Sequence, residues 1–456
     1  MIASDSRGAW GSRLGFILAA AGSAVGLGNI WGFPMQVGRG GGAMFVLLYL
    51  ICVFLVCFPI LIAELALGRA SGKSPVEAFA STKPNSPWWI VGAIGVMAGV
   101  GILSFYAVIA GWTLSYVWYT ATGAVVGSQE QIGAFFGAFV ADGNKNVVMS
   151  LAVLAITAAI ILGGVQKGIE RAAKLMMPAL LGLLALLALR ALTLPGAAEG
   201  LAYYLKPDFK EISNPMVLNA ALGQAFFSLS LGMGAMITYG SYLSKSTNAA
   251  TSAAWVAVLD TSVALLAGFI IFPAGFSIIG FDPSSSGPGL IFAVLPQLFS
   301  TMPGGQLFGT AFFVLLGLAA LTSTISLLEV PTAALVDRGW PRKKAVLVLT
   351  AVIMALAVPS VLSQGAVSWL SSVPGVGMDF LTLMATVWNN WALPIGGFFI
   401  AIFVGWVWGA DKAILELSAE GQHFPAAKLW AVLIRWVCPV AILYVIVMTA
   451  RGFFAG

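Results

Sequence analysis

"GSAVGLGNIWGFP", residues 22–34, lies inside an apolar stretch long enough to cross a bilayer, yet it holds four glycines, an asparagine and a proline. Every backbone N–H and C=O of a membrane-crossing segment must be satisfied within the protein. Helix-weakening residues are therefore tolerated at that depth only where neighbouring protein or a wet cavity receives the freed groups. The stretch predicts a broken helix facing a site.

The rest of the chain supports a membrane setting. Of 456 residues, 60% are hydrophobic and only 9% charged, with a mean hydropathy of +0.97; a soluble domain carries about 25% charged residues. The chain is read as an all-α polytopic integral membrane protein. Its net charge of +5 is assigned to basic cytoplasmic loops and not to a nucleic-acid surface. The three cysteines suit neither a disulfide framework nor a zinc site. Cys52 and Cys57, five residues apart, would point about 140° away from each other on an α-helix, so they are read as packing residues on different faces. The first apolar stretch, with Arg13 at its cytoplasmic edge, is longer than a signal-peptide core and lacks a small-residue cleavage pattern, so it is expected to stay as the first span.

Allowing about 20 apolar residues per crossing, the sequence divides into eleven spans at 13–37, 42–69, 88–122, 147–164, 169–193, 217–242, 248–279, 306–337, 343–363, 383–409 and 428–451. With a cytoplasmic N-terminus, sixteen of the 22 Lys and Arg residues fall inside and six outside, which supports that orientation. The C-terminus is then extracellular or periplasmic, and the protein a multi-pass component of the cell membrane. The longer outer connections lie at about 123–146, 194–216 and 280–305; the apolar stretch after "FDPSSSGPG" (281–289) is expected to cap the outer face as a short helix.

Interrupted helices at corresponding positions of two halves mark transporters built from inverted repeats. Span 1 contains "AVGLGN" (24–29) and span 6 contains "SLGMGA" (230–235). The two segments are five spans apart in order, an odd offset, so the second unit lies upside down relative to the first. The chain is thus read as one transmembrane domain, 1–456: 13–193 forms the first repeat, 217–409 its inverted counterpart, and 428–451 an additional helix.

Of 17 acidic residues, only Glu64, Asp260 and Glu329 fall well inside apolar spans. A carboxylate at the bilayer centre costs about 2.5–3.5 kcal/mol on insertion scales, so each needs a partner or a function. Asp260 lies about 18 Å up span 7 at 1.5 Å per residue, near the midplane, where Asn29, Ser228, Thr322 and Ser323 also arrive. Amide, hydroxyl and carboxylate oxygens together with freed carbonyls suit a small hard cation such as Na⁺. Interhelical hydrogen bonding explains any one of these hydroxyls; the whole set, centred on two broken helices, favours a site. Glu64 is expected to accept amides exposed by the break in span 6, and Glu329 to do structural work nearer the cytoplasm.

Seven ordered stretches carry a resemblance: "RLGFILAAAGSAVGLGNIWGFP" (13–34), "ELALGR" (64–69), "GWTL" (111–114), "KGIERAAKLMMP" (167–178), "GQAFFSLSLGMGAMITYGSY" (223–242), "GLAALTSTIS" (317–326) and "GADKA" (409–413). Over nearly the whole chain the sequence resembles the neurotransmitter:sodium symporter family, in particular its bacterial amino-acid members. The resemblance implies two sodium sites. The first takes Ala24, Asn29, Ser228, Asp260 and the substrate carboxylate; the second takes the carbonyls of Gly22, Val25 and Ala319 with the hydroxyls of Thr322 and Ser323. It also implies that the substrate carboxylate meets the amides of Leu27 and Gly28, an anion at a positive helix end. The substrate ammonium then meets the carbonyls of Ala24, Phe227 and Ser228. Gly26 stands where amine-carrying members have an aspartate, which implies an amino-acid substrate. The side-chain pocket is assigned to Ser23, Ile102, Tyr106, Phe227, Ser230, Met233, Ser323 and Leu327; their mostly apolar character favours neutral hydrophobic substrates.

Departures from the family pattern refine these expectations. Chloride-dependent members commonly carry asparagine at the position of Asp260 and a serine four residues on, where this chain has Ala264. A fixed carboxylate implies chloride independence. The arginine usual in the outer gate is replaced by Gly32, and its acidic partner falls either on Ala385, leaving no acid, or on Asp379. The outer gate is then expected to rest on Tyr106 over Phe227. The inner gate is assigned to Arg7, Trp10, Tyr242 and Asp337, with an Arg7–Asp337 ion pair, and Gly168 and Pro178 match a spacing linked to local unwinding of span 5. A membrane enzyme is disfavoured, since no H-E-x-x-H occurs and the sole histidine, His423, lies in a loop. Proton coupling through Asp260 or Glu64 and a non-transporting sensor on the same scaffold are the alternatives. Oligomeric state is not legible.

Overall fold

The computed structural model describes residues 8–209, 214–278, 281–284, 290–301 and 303–455, and among them it contains helices and turns but no strand. Among the described residues nine helices are long and apolar enough to cross a membrane: Ala43–Ser71, Trp89–Ala121, Gly143–Leu162, Val165–Ala191, Ala249–Gly275, Gly305–Asp337, Arg342–Leu362, Phe380–Val407 and Ala427–Phe453. Arg13–Ala24 and Gly28–Arg39, bent by 52°, make a tenth if counted together. At the place of the expected sixth span stand two shorter helices, Pro215–Ser228 and Ala235–Gly240. The number of crossings is thus roughly that expected, and the helix ends agree with the expected bounds to within four residues.

Burial separates the interior from the lipid face. Spans 3 and 8, the two longest helices, pack on each other and bury 72% of their apolar windows, whereas spans 9 and 11 bury 33%. Spans 1, 6 and 7 pack in the same interior, so both interrupted helices are held between continuous ones.

Proline shapes several of these helices. In spans 1, 2, 10 and 11, wide π turns at Gly28–Gly32, Val53–Cys57, Thr386–Ala392 and Leu433–Val437 are each followed, after one residue, by Pro34, Pro59, Pro394 and Pro439. Proline lacks an N–H and its ring displaces the carbonyl four residues back, so the preceding turn widens to i→i+5 bonding. One consequence corrects the cysteine reading: the π turn at Val53–Cys57 brings positions five apart onto one side, and Cys52 and Cys57 are both buried. Cys438 packs on the same span, its Sγ 3.4 Å from the Val56 carbonyl.

The third long connection forms the expected short apolar helix, Ile291–Ser300; residues 285–289 of the preceding turn lie outside the described residues. Phe292 seats this helix against Trp31, Trp112, Tyr116, Phe136 and Phe313, with ring centroids 4.9–6.4 Å apart. On the opposite side, Arg69 of "ELALGR" is buried. Its guanidinium donates to the Thr247 carbonyl at 2.7 Å and pairs at 2.9 Å with Glu416, which also pairs with Lys245 at 2.6 Å.

Candidate functional site

The inner half of span 1 ends at Ala24, where Val25 turns to extended backbone (ψ 115°). The chain re-enters helix around Gly28, and the intervening polar groups are taken up partly by Asn29 of the same span and partly by side chains of other spans. The Gly26 amide donates to Asn29 Oδ1 at 3.0 Å and the Leu27 amide to the Tyr106 hydroxyl at 3.0 Å. The Val25 carbonyl accepts from both Thr322 Oγ1 and Ser323 Oγ at 3.2 Å.

Span 6 breaks between Ser228 and Ala235, where Ser230 (φ 53°), Gly232 (φ 82°) and Gly234 (φ 74°) all adopt left-handed backbone. For serine that conformation is disfavoured; here its hydroxyl is tied to the other break, donating to the Ser23 carbonyl at 2.8 Å. Glu64 accepts the Gly232 amide at 2.8 Å, as its burial beside the break predicted. Gly232 admits no side chain, since a Cβ would lie 2.1 Å from the Leu393 carbonyl oxygen.

Between the breaks lies a fully buried polar ring. Asn29 Nδ2 donates to Asp260 Oδ1 at 2.7 Å and to Ser228 Oγ at 2.9 Å; Ser228 Oγ donates to Asp260 Oδ2 at 2.8 Å, and the Tyr49 hydroxyl reaches Ser228 at 3.2 Å. Tyr49 was not foreseen. A second oxygen cluster sits across span 1: the Val25 and Ala319 carbonyls with Thr322 and Ser323, where Thr322 Oγ1 also lies 2.9 Å from the Ala319 oxygen. Gly22 abuts Thr322, and both line a cavity of about 10 Å³ with Ala19, Ile169, Ala173, Tyr239 and Ile325. Among the described residues no three His, Cys, Asp or Glu side chains gather as a metal-holding group.

Beside these clusters is a narrow pocket of about 30 Å³. It is lined by Ser23, Ala24, Gly26, Gly28, Ile102, Tyr106, Phe227, Ser230, Met233, Ser323 and Leu327, all named from the sequence, and by Ser326 and Leu393, which were not. The Ser23 hydroxyl is buried without a hydrogen-bond partner. Two glycines set the pocket's shape. A Cβ on Gly26 would lie 2.4 Å from Ser323 Oγ and 2.8 Å from the Tyr106 hydroxyl, and one on Gly28 would lie 2.6 Å from the Phe227 ring.

Outside Phe227 opens a cavity of about 470 Å³, lined by Gly32, Gln36, Asn219, Gln224, Asn389 and Asn390 among others, with no charged residue among the described lining. Gln224 was missed, although it lies one turn before Ser228 on the same face; its Nε2 donates to the Gly28 carbonyl at 2.8 Å. Asp379 is the acid that the sequence offered for the outer gate. It caps the start of span 10 by accepting the Thr382 amide at 3.0 Å, and it takes Gln364 at 3.0 Å.

At the end of the bundle where span 1 begins, Trp10 Nε1 donates to the Tyr239 carbonyl at 2.9 Å and the Trp10 ring packs edge-on against Tyr239 and Tyr242. The Tyr242 hydroxyl donates to Glu329 at 2.7 Å, and Arg342 makes a two-pronged pair with the same carboxylate at 3.1 and 2.5 Å. Arg342 also holds the Ile161 carbonyl at 2.9 Å, joining spans 4, 8 and 9. Arg7, and with it the expected pairing with Asp337, lies outside the described residues; Asp337 accepts the Ser74 amide at 2.7 Å.

The comparisons agree with this architecture. The model of the sodium:neurotransmitter symporter family matches residues 7–128 and 137–454. The sodium-dependent transporter YhdH of Bacillus subtilis is 40% identical, covering 96% of each chain. A sodium-dependent transporter of Haemophilus influenzae is 34% identical, covering 97% of this chain and 98% of its own. The crystal structure of MhsT in complex with L-phenylalanine superposes with a TM-score of 0.89 at 45% identity, over 97% of this chain and 100% of that one. A multi-pass membrane protein with two helices broken around a buried oxygen-lined site, this chain belongs to the sodium:neurotransmitter symporter family.

Proposed function

We propose that this protein is a sodium-coupled symporter of neutral, hydrophobic L-amino acids, aromatic ones included, working by alternating access without chloride. The observation that carries the reading is the ring Asn29–Ser228–Asp260, closed between the two helix breaks at the edge of an apolar pocket. A cation placed there meets a fixed negative charge, and the substrate carboxylate completes its ligands. In this assignment the first sodium site is Ala24, Asn29, Ser228 and Asp260, with the Asn29 amide turning over to offer its oxygen. The second is Gly22, Val25, Ala319, Thr322 and Ser323.

The amino acid lies with its carboxylate toward Leu27, Gly28 and Tyr106 and its side chain among Ile102, Phe227, Met233 and Leu327. Flexible Met233 and the helix turns around it give the pocket room to adapt. L-phenylalanine, the ligand of MhsT, is the first substrate to test. Tyr106 and Phe227 close the outer side. Trp10, Tyr242 and Asp337, together with Arg7, close the inner. Sodium and substrate share ligands, so each favours the occluded state and binding of one strengthens binding of the other.

The same reading places 13–193 and 217–409 as inverted repeats with 428–451 added, and the N-terminus in the cytoplasm. It is tested by uptake of radiolabelled L-phenylalanine into proteoliposomes. Uptake is expected to need an inward sodium gradient, to vanish when choline replaces sodium, and to persist when gluconate replaces chloride. Accumulation that follows a pH gradient in choline would overturn it.

A further inference from the structure

The inner half of span 1 has to leave its neighbours for any path to open from the pocket to the cytoplasm, and its first turn is held by a residue the proposed transport cycle does not otherwise use. Ser12 caps this helix, accepting the Gly15 amide at 3.0 Å. Its hydroxyl donates in turn to Glu170 Oε1 at 2.8 Å, while the Gly11 amide donates to Glu170 Oε2 at 2.6 Å. Both oxygens of one carboxylate thus grip the helix start, where the helix dipole also favours negative charge. The fit is close: a Cβ on Gly15 would lie 2.1 Å from Glu170 Oε1. Glu170 is 3% exposed, and its remaining partner is Lys174, one turn on, at 2.7 Å.

Glu170 is also carried on an irregular part of span 5. It ends the π turn Val165–Glu170, which follows Gly164 in left-handed backbone (φ 74°). Gly168 in that turn packs so tightly that a Cβ would lie 2.0 Å from the Ile160 carbonyl oxygen. Ile169 and Ala173, on either side of Glu170 along the same helix, wall the small cavity that also touches Gly22 and Thr322. One turn of span 5 therefore both clasps the start of span 1 and walls the cavity beside the second oxygen cluster.

Resting on the reading of this chain as an alternating-access carrier, we infer that Glu170 is a positioning residue that latches the inner half of span 1 to span 5. Rearrangement of the Val165–Glu170 turn and release of the span 1 start are then a single event. Undoing the latch exposes the inner cavity and shifts the protein toward its inward-facing state. A hydrogen bond to a charged group weights such an equilibrium about tenfold or more.

The test uses the full chain in membrane vesicles with single reporter cysteines, read in the absence of sodium; Cys52, Cys57 and Cys438 are all buried. Ala19→Cys reports the inner cavity and Met35→Cys the outer one. Each is labelled with a water-soluble maleimide from its own side. In Glu170→Ala, the inner reporter is expected to label about tenfold faster and the outer one slower, with Glu170→Gln intermediate because it keeps the acceptor oxygens but not the charge. Gly15→Ala, which pushes on the carboxylate from the other helix, is expected to act in the same direction, and Ser12→Ala to add little on top of Glu170→Ala. Unchanged labelling in both Glu170→Ala and Gly15→Ala overturns the proposal. So does faster labelling of both reporters, which marks a loosened fold and not a shifted balance. Sodium-independent uptake by the unmodified protein would instead sink the functional reading, whatever the labelling shows.

Discussion

Asp260→Asn removes one charge and almost no volume from the ring between the two breaks. Asp260 is fully buried and accepts Asn29 at 2.7 Å and Ser228 at 2.8 Å, so a sodium ion ligated by these groups lies within about 4 Å of the carboxylate. At that separation and an effective dielectric constant of 20, a full unit charge is worth about 4 kcal/mol. Asparagine keeps a carbonyl oxygen for the ion, which retains part of this. A net loss of about 2–3 kcal/mol is therefore expected, raising the sodium concentration for half-maximal uptake by about 30- to 150-fold. The assay is L-phenylalanine uptake into proteoliposomes across a sodium series, run once in chloride and once in gluconate. The unmodified protein should respond equally in both. The variant should recover part of its activity in chloride, because a mobile anion can supply the missing charge. An unchanged half-maximal sodium concentration in Asp260→Asn would refute the argument that this carboxylate balances the ion.

Three further outcomes follow from the geometry. Gly26→Ala places a methyl group 2.4 Å from Ser323 Oγ and 2.8 Å from the Tyr106 hydroxyl; substrate binding, followed by isothermal calorimetry, is expected to weaken about 5- to 150-fold, the scale of an overpacking cost of about 1–3 kcal/mol. Glu64→Ala strands the buried Gly232 amide, so thermal unfolding in detergent should show a loss of about 1–3 kcal/mol, whereas Glu64→Gln retains the acceptor and should stay close to the unmodified protein. Thr322→Val deletes a hydroxyl that contacts the Val25 and Ala319 carbonyls while keeping the shape; a rise of about tenfold in half-maximal sodium is expected, with Thr322→Ser near normal.

The pattern of spans was legible because the bilayer imposes a local rule. About 20 apolar residues per crossing can be counted along the chain without knowing what lies beside it, and the breaks at 22–34 and 228–235 are visible as glycine and polar residues where that rule forbids exposed backbone. The oxygens of Asn29, Ser228, Asp260, Thr322 and Ser323 were legible from their depth along the spans, and the pocket residues Tyr106, Phe227 and Met233 through family motifs. The π turns before Pro34, Pro59, Pro394 and Pro439 were also written locally, and overlooking them put Cys52 and Cys57 on the wrong faces.

What the sequence by itself determined, then, is where the chain crosses the membrane, where it cannot stay helical, and which buried acids need partners. Apart from Glu64, whose partner at the span 6 break was foreseen, which partners they have was decided only in three dimensions. Glu329 meets Tyr242 across 87 positions, Glu170 meets Gly11 across 159, and Leu393 enters the pocket from span 10. Asp379 caps the helix that starts just after it. Helical periodicity specifies which face a residue occupies, but a neighbour from a distant span is set by how whole helices pack, and no local pattern of residues encodes that.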